Sequence, residues 1–443
     1  MAMKRLALSF IICQLAFCGL HAQEWTLAKC IDYALEHNIS VKQYENQRRQ
    51  QEVQLSTARN QRLPDLNASA GQNFSFGRGL TAENTYTNTN TSSTSFSLGT
   101  SVPLFTGFRI PNNVKLSQLN LAAATADLER ARNDIRVQVA QAYVQILYDM
   151  EISNVALRQT KIDSAQTARL QALLRVGKAS EAQLSQQQAT LAQSRLTATQ
   201  ADNNTRLALL ALSQLLELTT PEGFAIAVPV LPETTDGQQE DLPLPDDIYA
   251  EALTSRPEIE AENLRLKAAE RSIALAKADL YPSLSFSAGM GSNYYKTSGF
   301  TADNFAKQMK NNFSQYLGFN LNIPIFSRFQ TQNSIRSARI SRENQLLALD
   351  NTQKNLYKEI QQAYYNTVAA SEKLKSCRQA QQSAADAFRL TTAKYEQGKA
   401  TITEFNEQKN IYLKAESDLT QARYEHLYQT ALIRFYRGQP LTF

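Results

Sequence analysis

Two stretches of the chain switch from a polar, helix-like pattern to strict alternation of apolar and small polar residues. The first, residues 58–76, makes the switch at Pro64, and the second, residues 276–294, makes it at Pro282. Beyond each proline, apolar side chains fill alternate positions, and Ser, Asn or Gly fill most of the others. A period of two with unlike faces is typical of a strand whose sides meet different environments. The pattern therefore predicts one strand over Leu66–Phe76 and another directly after Pro282.

Two more segments alternate in the same way and predict a second and a fourth strand, Phe96–Leu104 and Leu317–Ile325. Thr, Asn and Gly are frequent in the segment Gly77–Ser93, which predicts a polar loop between the first two strands. The segment around Lys296–Asn312 predicts a second loop, longer than most connections.

Long helices flank the strands. Helical patterns bounded by Pro, Gly or capping residues predict six helices along the chain. They cover Leu27–Arg62, about 112–174, Glu181–Leu218, Ile248–Leu280 with a break at Pro257, about 330–396, and a last segment that ends near Arg437. Within the second helix, apolar residues repeat every seven positions with alanines between them, at Leu121, Ala124, Leu128, Ala131, Ile135 and Ala142. Such a seam predicts a coiled coil whose helices approach closely.

The two halves of the chain repeat one another. Pro64 and Pro282 are 218 residues apart, and Gly177 and Gly398 are 221 apart. Each half reads as helix, strand, strand, long helix, turn and helix, so the predicted fold is mixed, with an internal duplication. The predicted organisation is a first repeat over 23–218, a Pro-rich acidic linker over 219–247, a second repeat over 248–437 and a C-terminal tail over 438–443.

The N-terminus predicts a secretory signal peptide over residues 1–22. A basic pair precedes the apolar run Leu6–Leu20, and Ala22 offers a cleavage site. An uncleaved anchor and a lipoprotein acylated at Cys18 are the alternatives, although the bulky Phe17 disfavours the second. No other segment approaches the ~20 apolar residues that a membrane-spanning helix needs.

A mature chain that begins after Ala22 keeps two cysteines, Cys30 and Cys377. The predicted helices place them at different heights, whereas a disulfide needs Cα atoms within about 7 Å of each other. We therefore predict two free thiols.

Four strands per chain cannot close a barrel by themselves, since about eight strands are the practical minimum. The alternating pattern, the strand lengths and the signal peptide favour an outer-membrane barrel that several copies of the chain complete. A soluble sheet is the alternative, although a soluble core favours larger residues and covering helices.

Composition excludes several other classes. The net charge of +5 over 443 residues is too small for a typical nucleic-acid binder. The three histidines lack ligand spacing, and no catalytic or nucleotide-binding motif is present. We therefore predict no enzyme activity, no catalytic residue, no cofactor and no metal site.

Several motifs, in the order in which they occur along the chain, resemble the TolC family of outer-membrane efflux proteins. The resemblance covers essentially the whole mature chain. The motifs are the opening TLAKCIDYALEHN, the prolines before the strands, VPLFTGF and IPIFSRF after them, and the tips VGKASEAQL and YEQGKATITEF. The resemblance implies a homotrimer whose chains share one twelve-strand barrel in the outer membrane. It also implies an α-barrel tunnel through the periplasm that docks on a periplasmic adaptor, or membrane fusion protein. The adaptor links the tunnel to an inner-membrane pump of the RND, ABC or MFS type.

The resemblance also assigns roles to two turns of the chain. The turns between the long helices look like the tips that dock on the adaptor: Val176, Gly177, Lys178, Gly398, Lys399 and Ala400. Glycine suits the C′ position after a helix, and Ser180 suits the cap of the helix that follows the first turn. Some family members carry a basic gate residue where this chain has Ala400, which puts a salt-bridge latch in doubt.

Two acidic residues match the carboxylates that narrow the tunnel in this family, Glu404 and Glu407. In a trimer they would form two rings of carboxylates, which favour cations and raise each other's pKa. The first-half equivalents, Gln183 and Gln186, are uncharged, so one hairpin would supply the constriction. Without the resemblance, solvated glutamates on a coiled-coil face explain the same pattern equally well.

The function predicted from these observations is a passive exit duct for small molecules such as drugs, metabolites or ions. The exit duct of a type I protein secretion system is an alternative that nothing in the sequence separates from it. A surface structural or adhesive coiled-coil protein is an alternative of another class, and a hydrolase is a third hypothesis that no motif supports.

Overall fold

The computed structural model describes residues 25–442 except 81–83, 220–222 and 230–241. Within these residues the elements are α1 Leu27–His37, α2 Ile39–Asn60, β1 Asn67–Leu80, β2 Tyr86–Thr106, α3 Arg109–Arg175, α4 Glu181–Leu215, α5 Pro245–Ser255, α6 Pro257–Ala278, β3 Ser283–Thr297, α7 Phe305–Asn311, β4 Ser314–Asn322, α8 Gln330–Glu396 and α9 Ile402–Tyr436. The predicted order of helices and strands is confirmed, as is the break before Pro257. The predicted signal peptide, residues 1–22, lies outside the described residues.

The chain divides into two compact units. The helical unit comprises the residues up to Glu45, Asp127–Ile259 and the residues from Thr352 onward. The strand unit comprises Asn46–Ala126 and Glu260–Asn351. Each unit therefore combines segments from both halves of the duplicated sequence.

The predicted single helix Leu27–Arg62 is wrong, because the chain leaves helical geometry at Asn38. The backbone of Asn38 is extended, with φ −60° and ψ 131°. Its side-chain amide donates to the carbonyl oxygen of Leu215 at 2.9 Å, and its side-chain oxygen accepts from the N–H of Ser40 at 2.9 Å. These bonds replace part of the helical hydrogen bonding, so the helix restarts at Ile39.

The strand unit contains one antiparallel sheet in the order β1-β2-β3-β4. The predicted polar loop Gly77–Ser93 is wrong over most of its length, because β1 continues to Leu80 and β2 begins at Tyr86. Hydroxyl and amide side chains of this region bond across the strands. The hydroxyls of Thr91 and Thr297 lie 3.3 Å apart, and the amide of Gln72 donates to the Ser92 hydroxyl at 2.9 Å.

Two other features of the strand unit differ from the sequence prediction, one in a loop and one at the end of a strand. The loop predicted around Lys296–Asn312 contains the short helix α7. The fourth strand ends at Asn322 rather than Ile325. Pro324 explains this early end, since proline lacks the N–H that a strand ladder requires.

The sheet exposes large apolar side chains at alternate positions. In β4, Leu317 is 78% exposed, Phe319 is 71% exposed and Leu321 is 58% exposed. In β1, Phe74 and Phe76 are exposed in the same way. One face of the sheet thus carries an apolar surface that this chain does not cover by itself. Among the described helices, none is long and apolar enough to cross a membrane.

The core of the helical unit forms around α1, α3, α4 and a short stretch of the predicted linker. Leu128, Ala131 and Ile135 of the heptad pattern are buried as predicted, whereas Leu121, Ala124 and Ala142 are half-buried. A second cluster joins α5 to α8 and α9, with Ile248, Leu356, Ile360 and Ile433 buried. Apolar burial of this kind is the main favourable contribution to folding.

The predicted linker 219–247 is in part an ordered element of this core. Ile226 is buried and forms a parallel bridge with Trp25. Tyr143 is buried against them, and its hydroxyl hydrogen-bonds the carbonyl oxygens of Trp25 and Ala227. The composition of the segment suggested a linker because Pro and acidic residues are frequent in it, but its Phe224 and Ile226 join the core cluster that contains residues of α1 and α3.

The prediction of two free thiols is confirmed. Cys30 is buried in the helical unit and Cys377 is half-buried on α8, and neither forms a disulfide. Burial raises the pKa of the Cys30 thiol to about 12. The reactive thiolate is therefore disfavoured at Cys30 near neutral pH.

Candidate functional site

The two turns between long helices have the same hydrogen-bond geometry. After α3, the N–H of Gly177 donates to the carbonyl of Leu174 at 2.9 Å, and the N–H of Lys178 donates to Leu173 at 2.8 Å. After α8, Gly398 donates to Tyr395 at 3.0 Å and Lys399 donates to Lys394 at 2.9 Å. This pair of bonds is the Schellman motif, which satisfies the last carbonyl groups of a helix.

Backbone conformation explains the two glycines. Gly177 has φ +68° and Gly398 has φ +72°, in the left-handed region that other L-residues rarely adopt. A Cβ atom built at either position meets nothing within 4 Å. Glycine is therefore required at both turns by backbone conformation and not by lack of space.

Each turn leads into a helix with a capping box. The Ser180 hydroxyl accepts from the N–H of Gln183 at 3.2 Å, and the Gln183 side chain accepts from the N–H of Ser180 at 3.0 Å. At the second turn, Thr401 and Glu404 form the same pair of bonds. This arrangement satisfies N–H groups that the first turn of a helix would otherwise leave free.

The structure places the residues predicted to line the turns at the surface of the helical unit. Val176, Lys178 and Lys399 are exposed, and Ala400 is half-buried. The two predicted pore carboxylates, Glu404 and Glu407, are also exposed. They lie three residues apart on α9, so both project from the same side of the helix. Their assignment to a pore constriction, and that of the turns to docking, stay predictions.

A buried ionic network that the sequence analysis missed lies between the two hairpins. Lys409 of α9 and Asp163 of α3 form an ion pair with both side chains fully buried. The Lys409 ammonium also donates to the side-chain oxygen of Asn406 at 3.4 Å. The amide of Asn406 donates to Gln187 of α4 at 3.1 Å, and Gln187 donates to the backbone carbonyl of Asp163 at 3.5 Å. Three helices thus share one polar cluster.

The sequence does contain a signal for this network. Phe405, Lys409 and Leu413 are spaced by four, and all three are buried on one stripe of α9. Asp163 lies seven residues from both Ala156 and Leu170, which are buried on α3. A charged residue inside an apolar stripe at helical spacing predicts a buried polar contact, because an unpaired buried charge is very costly.

A second polar feature of the helical unit is a cleft of about 550 Å³. Arg256 lies in its wall, with its guanidinium 4.8 Å from the ring centroids of both Phe435 and Tyr436. Three carboxylates line the cleft, those of Asp134, Glu258 and Glu359. Burial raises the pKa of two of them, Asp134 and Glu359, and the negative charge of Glu258 raises both further.

Comparison with known families gives one match that spans most of the chain. A family model described as outer membrane efflux protein matches residues 30–217 and 248–438. The two matched segments correspond to successive copies of the unit that the duplication predicts.

Two curated relatives and one solved structure show the same similarity. Outer membrane protein OprJ of Pseudomonas aeruginosa is 25% identical over 380 residues, which cover 84% of this chain and 75% of OprJ. Protein CyaE of Bordetella pertussis is 24% identical over 322 residues, which cover 71% of this chain and 64% of CyaE. The structure of the Campylobacter jejuni CmeC outer membrane channel has a TM-score of 0.76 at 19% identity and covers 94% of this chain and 87% of CmeC. At that identity the structural similarity concerns the fold alone.

Proposed function

Because this chain belongs to the outer membrane efflux protein family, we propose that it is the outer-membrane duct of a tripartite export system. In this proposal three copies assemble into one channel. The duct is passive and carries small molecules, such as drugs, metabolites or ions, from the periplasm or from a pump to the exterior.

The observation that carries the proposal is the open sheet. Among the described residues, β1 pairs only with β2, and β4 pairs only with β3. A sheet that faces lipid must close, because hydrocarbon offers no partner to the N–H and C=O groups of a free edge. Its exposed Leu317 and Phe319 suit a lipid-facing surface. Three copies of four strands give a closed barrel of twelve, within the range of known outer-membrane barrels.

The long hairpins supply the rest of the path. Helices α3 and α8 each contain 67 residues and would extend about 100 Å at 1.5 Å per residue. We assign the turns at Gly177 and Gly398 to docking on a periplasmic adaptor. Their shared geometry supports this role, since six nearly equivalent turns in a trimer would present a repeating surface to the adaptor.

The acidic residues near the second turn define the proposed constriction. Glu404 and Glu407 are exposed on one side of α9. In a trimer they would form two rings of three carboxylates, which favour cations over anions in a narrow pore. The equivalent Gln183 and Gln186 of the first repeat carry no charge. The cation preference of the duct would therefore depend on the second hairpin.

The proposal is tested by single-channel conductance in planar bilayers, together with the mass of the purified protein in detergent. The expected result is a trimer with small, cation-selective currents. A protein that never inserts, or one that inserts without conducting, would overturn the duct and favour a structural or adhesive role.

A further inference from the structure

The basic residues of the strands lie at one end of the sheet. The segments 67–106 and 283–322, which contain the four strands, have six charged residues: Arg78, Glu83, Lys296, Asp303, Lys307 and Lys310. Arg78 and Lys296 lie near the ends of β1 and β3 from which the chain turns into the next strand, whereas the helices join the strands at the other end. We call the first end, with the connections 81–85 and 298–313, the hairpin end.

The two basic strand residues occupy equivalent positions of the duplication. Arg78 and Lys296 are 218 residues apart, the same offset that separates the prolines before β1 and β3. Each follows a residue of the same face by ten positions, Ala68 in β1 and Phe286 in β3. At about 3.3 Å per residue and a tilt of about 40°, ten residues would rise about 25 Å, the height of the apolar band of an outer-membrane barrel. Both charges therefore lie where such a band ends.

Strand register places both charges on the apolar face of the sheet. Because side chains alternate between faces, Arg78 shares its face with Phe74 and Phe76 of β1. Lys296 pairs with Ser92 of β2, and Ser92 pairs in turn with Phe74. Directly paired residues point to the same side of a sheet. Arg78 and Lys296 thus follow the exposed apolar side chains on one face, at the hairpin end.

Aromatic rings lie close to these charges. The guanidinium of Arg78 is 6.0 Å from the ring centroid of Tyr86, which is exposed. Tyr294, two residues before Lys296 and on the same face, packs against Phe305 of α7 with ring centroids 5.4 Å apart. Aromatic rings beside basic side chains are typical of the level at which hydrocarbon gives way to lipid headgroups. The hairpin end therefore has the chemistry of a membrane interface.

Helix α7 adds a further basic residue at this end. The Gln308 side chain accepts from the N–H of Tyr295 at 2.9 Å and donates to the carbonyl of the same residue at 2.9 Å. The amide of Asn312 donates to the carbonyl of Asn293 at 2.6 Å. These bonds fix α7 beside the end of β3, next to Lys296. The exposed Lys310 of α7 is thereby held at the hairpin end.

The charges of the strand segments are only partly balanced within the chain. Lys307 binds Asp303 at 2.8 Å, so this pair has no net charge. At the opposite end of the sheet, Arg109 of α3 pairs in the same way with Asp279. Four basic and two acidic residues in the strand segments leave an excess of two positive charges per chain. Glu83, one of the two acidic residues, lies outside the described residues. The excess positive charge suits an anionic partner at the hairpin end.

We infer that the hairpin end binds the phosphate groups of the glycolipid that forms the outer leaflet of the outer membrane. The inference rests on the proposed function, because it requires the sheet to cross that membrane with its hairpin end outward. Arg78 can bind a phosphate through two parallel N–H···O bonds, and Lys296 and Lys310 supply further positive charge. Tyr86 and Tyr294 pack against the lipid at headgroup level. A phosphate monoester carries more negative charge than the phosphodiester of a phospholipid, so the glycolipid is the preferred ligand.

Native mass spectrometry of the purified full-length trimer tests the inference. The probes are lipid A with two phosphates, the same lipid A without phosphates, and phosphatidylglycerol, each titrated into the protein in detergent. The test variant is Arg78→Gln with Lys296→Gln. The matched control is Arg62→Gln with Lys277→Gln, which removes two exposed charges that precede β1 and β3 at the opposite end of the sheet.

The expected results distinguish a phosphate site from general attraction to lipid. The parent trimer should bind bisphosphorylated lipid A more tightly than either other probe, and the control should match the parent. The test variant should bind it roughly tenfold more weakly or worse, as expected for the loss of charge-assisted hydrogen bonds. Arg78→Lys with Lys296→Arg keeps both charges and should retain most of the binding.

Two results would overturn the inference. One is equal binding of all three lipids by the parent protein, a comparison that needs no variant and stands even if a variant does not fold. The other is equal binding of bisphosphorylated lipid A by the test variant and the control. A trimer that conducts ions without this lipid preference would overturn the lipid site alone. A parent protein that is not a trimer in the same spectra would instead overturn the proposed duct.

Discussion

The carboxylate of Glu404 accepts a hydrogen bond at 2.9 Å from the backbone N–H of Thr401. In return, the hydroxyl of Thr401 accepts one at 3.2 Å from the N–H of Glu404. The proposed pore carboxylate is thus also the last member of a capping box. The Glu404 side chain therefore caps the helix and carries the proposed pore charge. The two roles can be separated, because Gln183 makes the same capping bond without a charge.

Glu404→Gln should therefore keep the cap and remove the charge. We expect a reversal potential closer to zero in a salt gradient, with unchanged thermal stability. Glu404→Ala should change the potential similarly but also weaken the helix start, where loss of a cap typically costs about 1 kcal/mol. Glu407→Gln is the matched control, because it removes a charge and leaves the capping box of Thr401 and Glu404 intact. If Glu404→Gln and Glu407→Gln together leave the potential unchanged, these carboxylates do not line the constriction.

The second turn allows a test of the docking assignment. Gly398 has φ +72° and open space around it, so a substitution there acts through backbone conformation. Gly398→Val should strain the turn by roughly 1–2 kcal/mol, whereas Gly398→Asn should be tolerated better, since Asn visits the left-handed region. We expect the Val variant to lose crosslinking to the adaptor in cells and to keep its trimeric mass in detergent. Equal crosslinking of both variants would argue against docking at this turn.

Much of this architecture could be predicted from local sequence. Helix α8 has the predicted bounds, and Gly177 and Gly398 end their helices as expected, because capping and helix periodicity depend on neighbouring residues. The TolC-like family, the fold class and the outer-membrane location were also inferred correctly from the sequence. These features all depend on patterns within short segments or on their order.

The sequence predictions that were wrong or incomplete concern contacts between residues that are distant in sequence. The break at Asn38 is stabilised by a bond to Leu215, 177 residues away, and Asp163 pairs with Lys409, 246 residues away. The Thr- and Asn-rich part of β2 reads as a loop by composition, because these residues favour turns in isolation. Only the neighbouring strands reveal that their side chains bond across the sheet.

The ordered part of the predicted linker depends on Tyr143. Its hydroxyl is buried and reaches two backbone carbonyls, those of Trp25 and Ala227. Tyr143→Phe should destabilise the helical unit by about 1–3 kcal/mol, because buried carbonyls lose a donor. Hydrogen exchange at the Ala227 amide, which donates to Trp25 at 3.0 Å, should accelerate. The exposed Tyr365→Phe is the control, and equal exchange in both variants would contradict the anchoring role.

The carboxylates of the polar cleft predict a pH dependence of stability. Burial, followed by the charge of Glu258, raises the pKa of Glu359 above its ordinary value of 4.5. The folded state therefore holds this proton more tightly than the unfolded state does. Protonation stabilises the fold fully below the ordinary pKa, and this contribution is lost as the pH rises through the raised pKa.

The glutamine side chain of Glu359→Gln is neutral at every pH, so this variant does not lose stability through deprotonation at position 359. We expect its thermal midpoint in detergent to match that of the parent protein at about pH 4, near the ordinary glutamate pKa. The midpoint of the variant should then exceed that of the parent increasingly as the pH rises to neutrality. Glu260→Gln, at an exposed position on α6, is the matched control and should follow the parent throughout. A constant difference across the pH range would mean that the substitution acts through packing and not through the proton, because only an ionisable group makes the difference depend on pH.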